Sequence, residues 1–392
     1  MTKKIKLKKY EDRRIKEGHL WIFSNEIVKP DNDIQNGEIV EVFDFAENYV
    51  CTGFFNRNSL IAVRIISINK VEDLKELLRQ KILRADKLRK DLYSGRNSYR
   101  MIFSEADQLP GLIIDKYENT YVMQVYSFGM EANINLIVDI LKQELKAENI
   151  FTKNEEYFRT LEGLPVKDEV YFGEDKESII EEFGILYKID FKGHKTGFYF
   201  DQTDNRIFVE RFAKGKSFID AFCNAGGFGL HALKAGAESV IFVDSSKSEI
   251  ENAKANVELN GLRLDRCTFI AKDVFDYFEE LVIEQKLFDI VMIDPPAFAK
   301  SKKNINQAIK GYEKLNRLAL QLTKDEGFLI TSSCSYHLDD EEFINVVKRA
   351  AYKTNKNLQL IHFYNASMDH PRLPAMSETK YLKFGVFKVY QS

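Results

Sequence analysis

Cysteine and proline are both scarce in this chain: four of one and seven of the other among 392 residues. The cysteines, Cys51, Cys223, Cys267 and Cys334, stand far apart, and no C-x-x-C pair occurs. That spacing speaks against a disulfide framework and a zinc site, and it fits a reducing cytoplasm. No metal is expected. Long apolar runs are missing too. None reaches the roughly 18 residues of a membrane-spanning helix, so no membrane partner is expected. The opening segment, Met1 to Lys9, carries lysines where a signal peptide would have its apolar core. An excess of positive charge is also lacking, since the formal net charge is −3, and a nucleic-acid binder usually shows more. No G-x-x-x-x-G-K-S/T motif is present, which excludes a P-loop.

What the chain has is acids at strand ends. Phe288 to Ile293 is an apolar run that stops at Asp294-Pro295-Pro296. Proline has a fixed φ and no N–H to donate, so the pair must leave a sheet as a stiff turn. Asp294 is thereby held at the carboxyl end of a strand, where open α/β sheets bind ligands. An acid alone there would read as a helix cap. Upstream, however, Ser217 to Phe222 is a strand and Cys223 to Gly229 a glycine-rich turn opening a helix. A second strand, Val240 to Val243, ends at Asp244, and the helix Lys247 to Leu259 closes at Asn260-Gly261. This is a βαβ nucleotide-binding half whose second acid suits ribose hydroxyls. Gly226, Gly227 and Gly229 lack the G-x-G-x-x-G spacing that receives a pyrophosphate, which points to a nucleoside without phosphates. S-adenosylmethionine fits. Asp273 ends a third short strand and can reach an adenine amino group. The cofactor residues expected are thus Asp220, Cys223, Asn224, Ala225, Gly226, Gly227, Phe228, Asp244, Ser245, Asp273, Val274 and Asp294.

The organisation is three-part. Residues 1–70 give short strands around Glu38 to Phe43, Val50 to Phe55 and Ile61 to Ile66, broken by Asn-rich turns, as in a small β barrel. Residues 71–190 open with an amphipathic helix over 72–94, read as a connector, and continue as a small α+β module. Residues 191–392 alternate strands and helices as a doubly wound α/β sheet. Residues 1–16 hold eight Lys or Arg against Glu11 and Asp12, a basic arm suited to phosphates or simply to water. A second cluster, Lys300 to Lys303, follows the prolines.

The segment His194-Lys195-Thr196-Gly197-Phe198-Tyr199-Phe200-Asp201-Gln202-Thr203-Asp204-Asn205-Arg206 resembles the hallmark of a known family. Gly18 to Ser24, Glu105 to Leu112 and Ser333-Cys334-Ser335 match it as well. The family is the class I methyltransferases with an N-terminal PUA domain that act on large-subunit ribosomal RNA, the cytosine-5 methyltransferase I group. The resemblance covers nearly the whole chain. It implies a Rossmann-like catalytic domain, a PUA-type RNA-binding barrel, 23S rRNA as partner, and Gln202 and Arg206 as cofactor contacts. The sequence leaves a homodimer open.

The chemistry turns on Cys334, which lies just beyond the strand Gly327 to Ser333, expected next to the strand that ends at Asp294. Cytosine C5 is a poor nucleophile, and a thiolate adding to C6 makes it enamine-like. Asp294 would bind N3 and the 4-amino group and stabilise charge on the ring. The base must leave its stack to be reached. Pro295, Pro296 and Lys300 are expected to face it. His337 is a candidate base by proximity alone. Two rival readings are an exocyclic-nitrogen RNA methyltransferase and a non-catalytic RNA-binding assembly factor. Asp-Pro-Pro followed by an aromatic favours the first, but Ala297 intervenes before Phe298.

Overall fold

The computed structural model of the protein describes residues 2–191, 196–299 and 302–391. The chain condenses into two compact units. The first comprises Met1–Ile180, Ile189–Phe200 and Met368–Thr379; the second comprises Glu181–Lys188, Asp201–Ser367 and Lys380–Ser392.

The first unit holds two five-stranded sheets. One has the order Lys3–Lys6, Ile39–Phe43, Tyr49–Phe55, Ile61–Ser67, Trp21–Phe23. Its two edges are joined where Lys8 N donates to Glu26 O and Val28 N to Lys6 O, each at 2.8 Å. This isolated bridge, between Leu7 and Ile27 just beyond the two outer strands, curls the sheet toward the expected barrel. Four of the basic arm's cations are partnered on this barrel: Lys3 with Asp33, Lys6 with Glu47, Arg14 with Glu26 and Lys16 with Asp12. Exposed pairs of this kind are weak, so phosphates can still compete for them.

The second sheet runs Val170–Phe172, Asn149–Thr152, Thr120–Val125, Leu112–Tyr117, Ser98–Phe103. The helix expected over 72–94 forms at Leu74–Leu92, capped by Asp73. It is more than a connector. Leu78, Ile82 and Ala85 pack in one apolar cluster with Tyr99, Met101 and Ile114 of this sheet and with Phe54 and Ile66 of the barrel. Arg64 of the barrel also reaches Glu105 at 3.1 Å and Glu162 at 2.6 Å.

The second unit is a seven-stranded sheet. Its strands are β1 (Ser217–Ala221), β2 (Ser239–Asp244), β3 (Cys267–Ala271), β4 (Phe288–Ile293), β5 (Thr323–Ser333), β6 (Lys356–Tyr364) and β7 (Lys383–Gln391). The spatial order is β3-β2-β1-β4-β5-β7-β6. The first five are parallel, and β7 runs antiparallel to both β5 and β6. The helices are α1 (Thr203–Ala213), α2 (Gly227–Lys234), α3 (Lys247–Leu259), α4 (Val274–Ile283), α5 (Ile305–Leu322) and α6 (Asp340–Lys353). A parallel strand covered on both faces reads as a continuous apolar run, and β4 has five of its six residues buried. Helix starts are fixed by side chains: Ser246 accepts from Glu249 N, Asp273 from Phe275 N and Asp339 from Glu342 N. Strand order reverses at β1 and β4, the place where ligands enter such sheets.

Candidate active site

Asp220 lies one residue before the end of β1, fully buried. Its Oδ2 accepts from Gly229 N at 2.8 Å, while Oδ1 is buried and finds no donor among the described residues. Burial pushes this carboxyl up to about 8. The chain then turns sharply. Phe222 and Asn224 hold positive φ of 62° and 47°, and Gly226 follows at 85°. Left-handed backbone is costly for side-chain-bearing residues and persists where surroundings enforce it. Here Asn224 N donates to Asp244 Oδ2 at 3.1 Å, Gly226 N to Cys223 O at 2.8 Å, and Asn256 Nδ2 to Ala225 O at 3.1 Å. Two glycines permit the packing behind the turn. A Cβ on Gly229 would sit 2.2 Å from the Phe242 ring, and one on Gly227 would sit 2.5 Å from Arg206 Nε. Asp244 also accepts from Ser246 N at 2.9 Å, so this acid shapes the turn as well as facing out beside exposed Ser245.

The second group is built across β4 and β5. Ile293 is in register with Thr331, so Asp294 meets Ser332 on the neighbouring strand. The Ser332 hydroxyl donates to Asp294 Oδ1, and Gln202 Nε2 donates to Oδ2 at 3.0 Å. Gln202 is itself set by Asn205 Nδ2, which donates to its Oε1 at 2.6 Å. Desolvation raises the Asp294 carboxyl to about 6, against the lowering effect of these two bonds. Pro295 is buried and Pro296 exposed, as a turn leaving the sheet requires. Cys334 follows β5 as a half-buried, unbridged thiol. Ser335 beside it donates to or accepts from Tyr312 Oη at 2.9 Å and receives Ala299 N at 3.2 Å.

The remaining expected residues are placed differently. Arg206 is buried in α1 and pairs with Glu182 at 3.0 and 3.2 Å. Its charge is thus neutralised, and it supports the glycine turn from behind. Asp273 is exposed, with Oδ1 capping α4 through Phe275 N at 2.8 Å and Asp276 N at 3.2 Å. The Val274 side chain is in the apolar core, which leaves only its backbone to meet a ligand. The Phe228 ring is buried and stacks on Phe384. Lys300, with His194 and Lys195 of the hallmark segment, lies outside the described residues. Cys51 and Cys223 are buried, whereas Cys267 is half-exposed at a sheet edge. Burial raises the Cys51 thiol to about 12 and Cys267 to about 11, so neither ionises near neutrality. His337 is half-buried and lies edge-on to Tyr336.

Comparison with known proteins agrees with this architecture. Residues 5–68 match the PUA-like domain family, and residues 168–387 match the S-adenosylmethionine-dependent methyltransferase family. A protein of Vibrio parahaemolyticus named ribosomal RNA large subunit methyltransferase I is 37% identical, over 99% of this chain and 100% of its own length. One of the same name from Shewanella amazonensis is 36% identical over the whole of both chains. The chain belongs to the ribosomal RNA large subunit methyltransferase I family. The fold of this family member is also that of a candidate methyltransferase from Streptococcus mutans (TM-score 0.83, 21% identity, 99% of this chain and 100% of that one). A similar structure, a candidate methyltransferase complexed with SAH, gives a TM-score of 0.85 at 21% identity over 99% and 100% of the two chains.

S-adenosylmethionine is therefore the cofactor of this methyltransferase, and the residues present suit it. The orphaned Asp220 Oδ1 asks for a donor or a cation, and the glycine turn brings bare backbone to the same strand ends. Three partners are not singled out by the sequence: Ser332 on Asp294, Glu182 on Arg206, and Asp201, whose Oδ2 accepts from Tyr381 Oη at 2.6 Å. Ser332 was within reach, since it stands two residues before Cys334. Glu182 had no local signal at all. Among the described residues no helix is long and apolar enough to cross a membrane.

Proposed function

We propose that this methyltransferase forms 5-methylcytosine in large-subunit (23S) ribosomal RNA through a covalent adduct of Cys334. The observation that supports the reading is that Asp294 and Cys334 follow the carboxyl ends of adjacent parallel strands, with Ser332, two residues before Cys334, donating to Asp294. A nucleophile and a base-binding acid on one rigid rim suit a single flat ring presented between them. The names of the full-length relatives support ribosomal RNA as the target, and the PUA-like barrel supports RNA binding.

The cofactor supplies an electrophilic methyl group on a sulfonium. Asp220, Asp244, Ser245, Asp273, the backbone of Val274 and the 223–228 turn are the residues proposed to hold it, with Gln202 and Arg206 as their supports. Cys334 Sγ, as thiolate, adds to C6 of the cytosine and moves electron density to C5. Asp294 receives the 4-amino group, and in its protonated form, populated near pH 6, it donates to N3. Once C5 carries the methyl group its proton passes to water, the electron pair of that C–H bond re-forms the C5–C6 double bond, the C6–S bond breaks, and the thiolate is restored. Pro295 and Pro296 hold Asp294 in place and, with Lys300, face the RNA. The nitrogen-methylation alternative would use an aromatic to stack on the base, but Phe298 packs instead at 4.5 Å from the Tyr312 ring.

The test compares wild type with Cys334→Ala on ribosomal RNA, using labelled cofactor and nucleoside analysis. Wild type should yield 5-methylcytidine, and the variant should bind cofactor yet lose at least about a thousandfold in rate, the scale of a missing nucleophile. Methyl transfer by the variant, or an N-methylated purine as product, refutes the reading.

A further inference from the structure

Lys383 is the one residue of β7 whose place the proposed chemistry leaves unexplained. It starts β7, in antiparallel register with Ser333, the residue before Cys334. Lysine is seldom buried without a partner, yet only 2% of this one is exposed. Its Nζ donates to the carbonyl of Ser335 and to that of Tyr381, each at 2.6 Å. An ammonium is therefore fastened to the carbonyl of the residue that follows Cys334 and to that of Tyr381, two neutral acceptors that leave its charge uncancelled. A cation sheltered in this way acts on its nearest ionisable neighbour more strongly than one in water.

We propose that Lys383 is the cation that holds Cys334 as a thiolate, a positioning residue that acts on the substrate only through the sulfur. The proposal rests on Cys334 being the nucleophile. Burial lowers Lys383 to about 8, while attraction to Cys334 works in the opposite direction, so the lysine is still charged near neutrality. The other charged groups that act on Lys383 are Asp340, Lys380 and Asp339, and each has a partner of its own. Asp340 pairs with Lys380, Asp339 is occupied in capping α6, and Tyr312, raised by burial, stays neutral while bonded to Ser335. His337, farther along the loop, lies against Tyr336.

The test is the pH dependence of Cys334 alkylation by iodoacetamide, with the modified peptide resolved by mass spectrometry. It needs neither RNA nor turnover. A free thiol ionises near about 8.5, and one beside a lysine below about 7.5. The wild-type midpoint should fall in the lower range. Lys383→Met should return it to about 8.5 and slow alkylation at pH 7 about tenfold, while Lys383→Arg should keep it low. Methyl transfer by Lys383→Met should then recover as pH rises from 7 to 9, which a merely structural defect would not do. A wild-type midpoint at 8.5 or above overturns the proposal without any variant, as does an unchanged midpoint in Lys383→Met. If the Met variant does not fold, the wild-type and Arg profiles decide: an Arg midpoint near 8.5 counts against it. Failure of the cysteine mechanism itself shows separately, as product made by Cys334→Ala.

Discussion

Asp220 is a buried acid whose proton matters to the fold. Unfolded, it titrates near 3.8; folded, it does so near 8. Between those values the folded protein holds a proton that the unfolded chain releases, so this group's contribution to stability is present in acid and lost as pH rises through 8. Asp220→Asn removes the dependence. Its melting temperature should equal wild type near pH 4 and exceed it by a growing margin up to pH 8.5, while cofactor binding weakens. A margin that stays constant across pH would mean that the residue is not desolvated as described. The sequence singles out this acid only as one of a set near successive strand ends, since an acid alone there would read as a helix cap. The Arg206–Glu182 pair was not legible, since 24 residues and a change of element separate its partners. Nothing local marks an arginine that will be buried.

At the scale of elements, most of the second unit could be read directly. The helix expected at Lys247 to Leu259 forms over those residues, because Ser246 and Asn260-Gly261 punctuate both ends. β5 begins at Thr323, four residues earlier than expected, across a polar stretch whose pairing only the sheet reveals. The glycine turn was legible as a turn; what each glycine avoids was not, since the clashing atom belongs to a strand remote in sequence. Gly229→Ala places a methyl against the Phe242 ring. Overpacking of this kind costs about 1–3 kcal/mol, which urea unfolding should register as a lower midpoint with an unchanged slope. An unaltered midpoint would show that α2 slides without penalty.

For the chain as a whole, the least legible feature is where residues 368–379 go. They leave the second unit between β6 and β7 and belong to the first. Arg89, fully buried, binds both Asp107 oxygens at 2.6 and 2.8 Å and the carbonyl of Asp369 at 2.8 Å. The Asp369 carboxylate accepts in turn from Arg100 N at 3.0 Å. Such a network joins residues 280 positions apart, beyond any periodicity. Removing one partner of a buried pair costs about 3–5 kcal/mol. Arg89→Ala should therefore destabilise the first unit by that order, seen as earlier loss of its hydrogen-exchange protection. Protection equal to wild type would make the pair incidental.

The position of β7 carries a consequence for how the protein is made. It follows β6 in sequence yet inserts between β6 and β5. A nascent chain that has already emerged through β6 therefore still has a gap in its sheet. It also lacks Lys383. Cys334, the proposed nucleophile, is synthesised about fifty residues before the cation proposed to activate it, so on that proposal a partly translated chain would carry its cysteine as an ordinary thiol. Reactivity toward RNA and completion of the sheet would then arrive together, with the same strand.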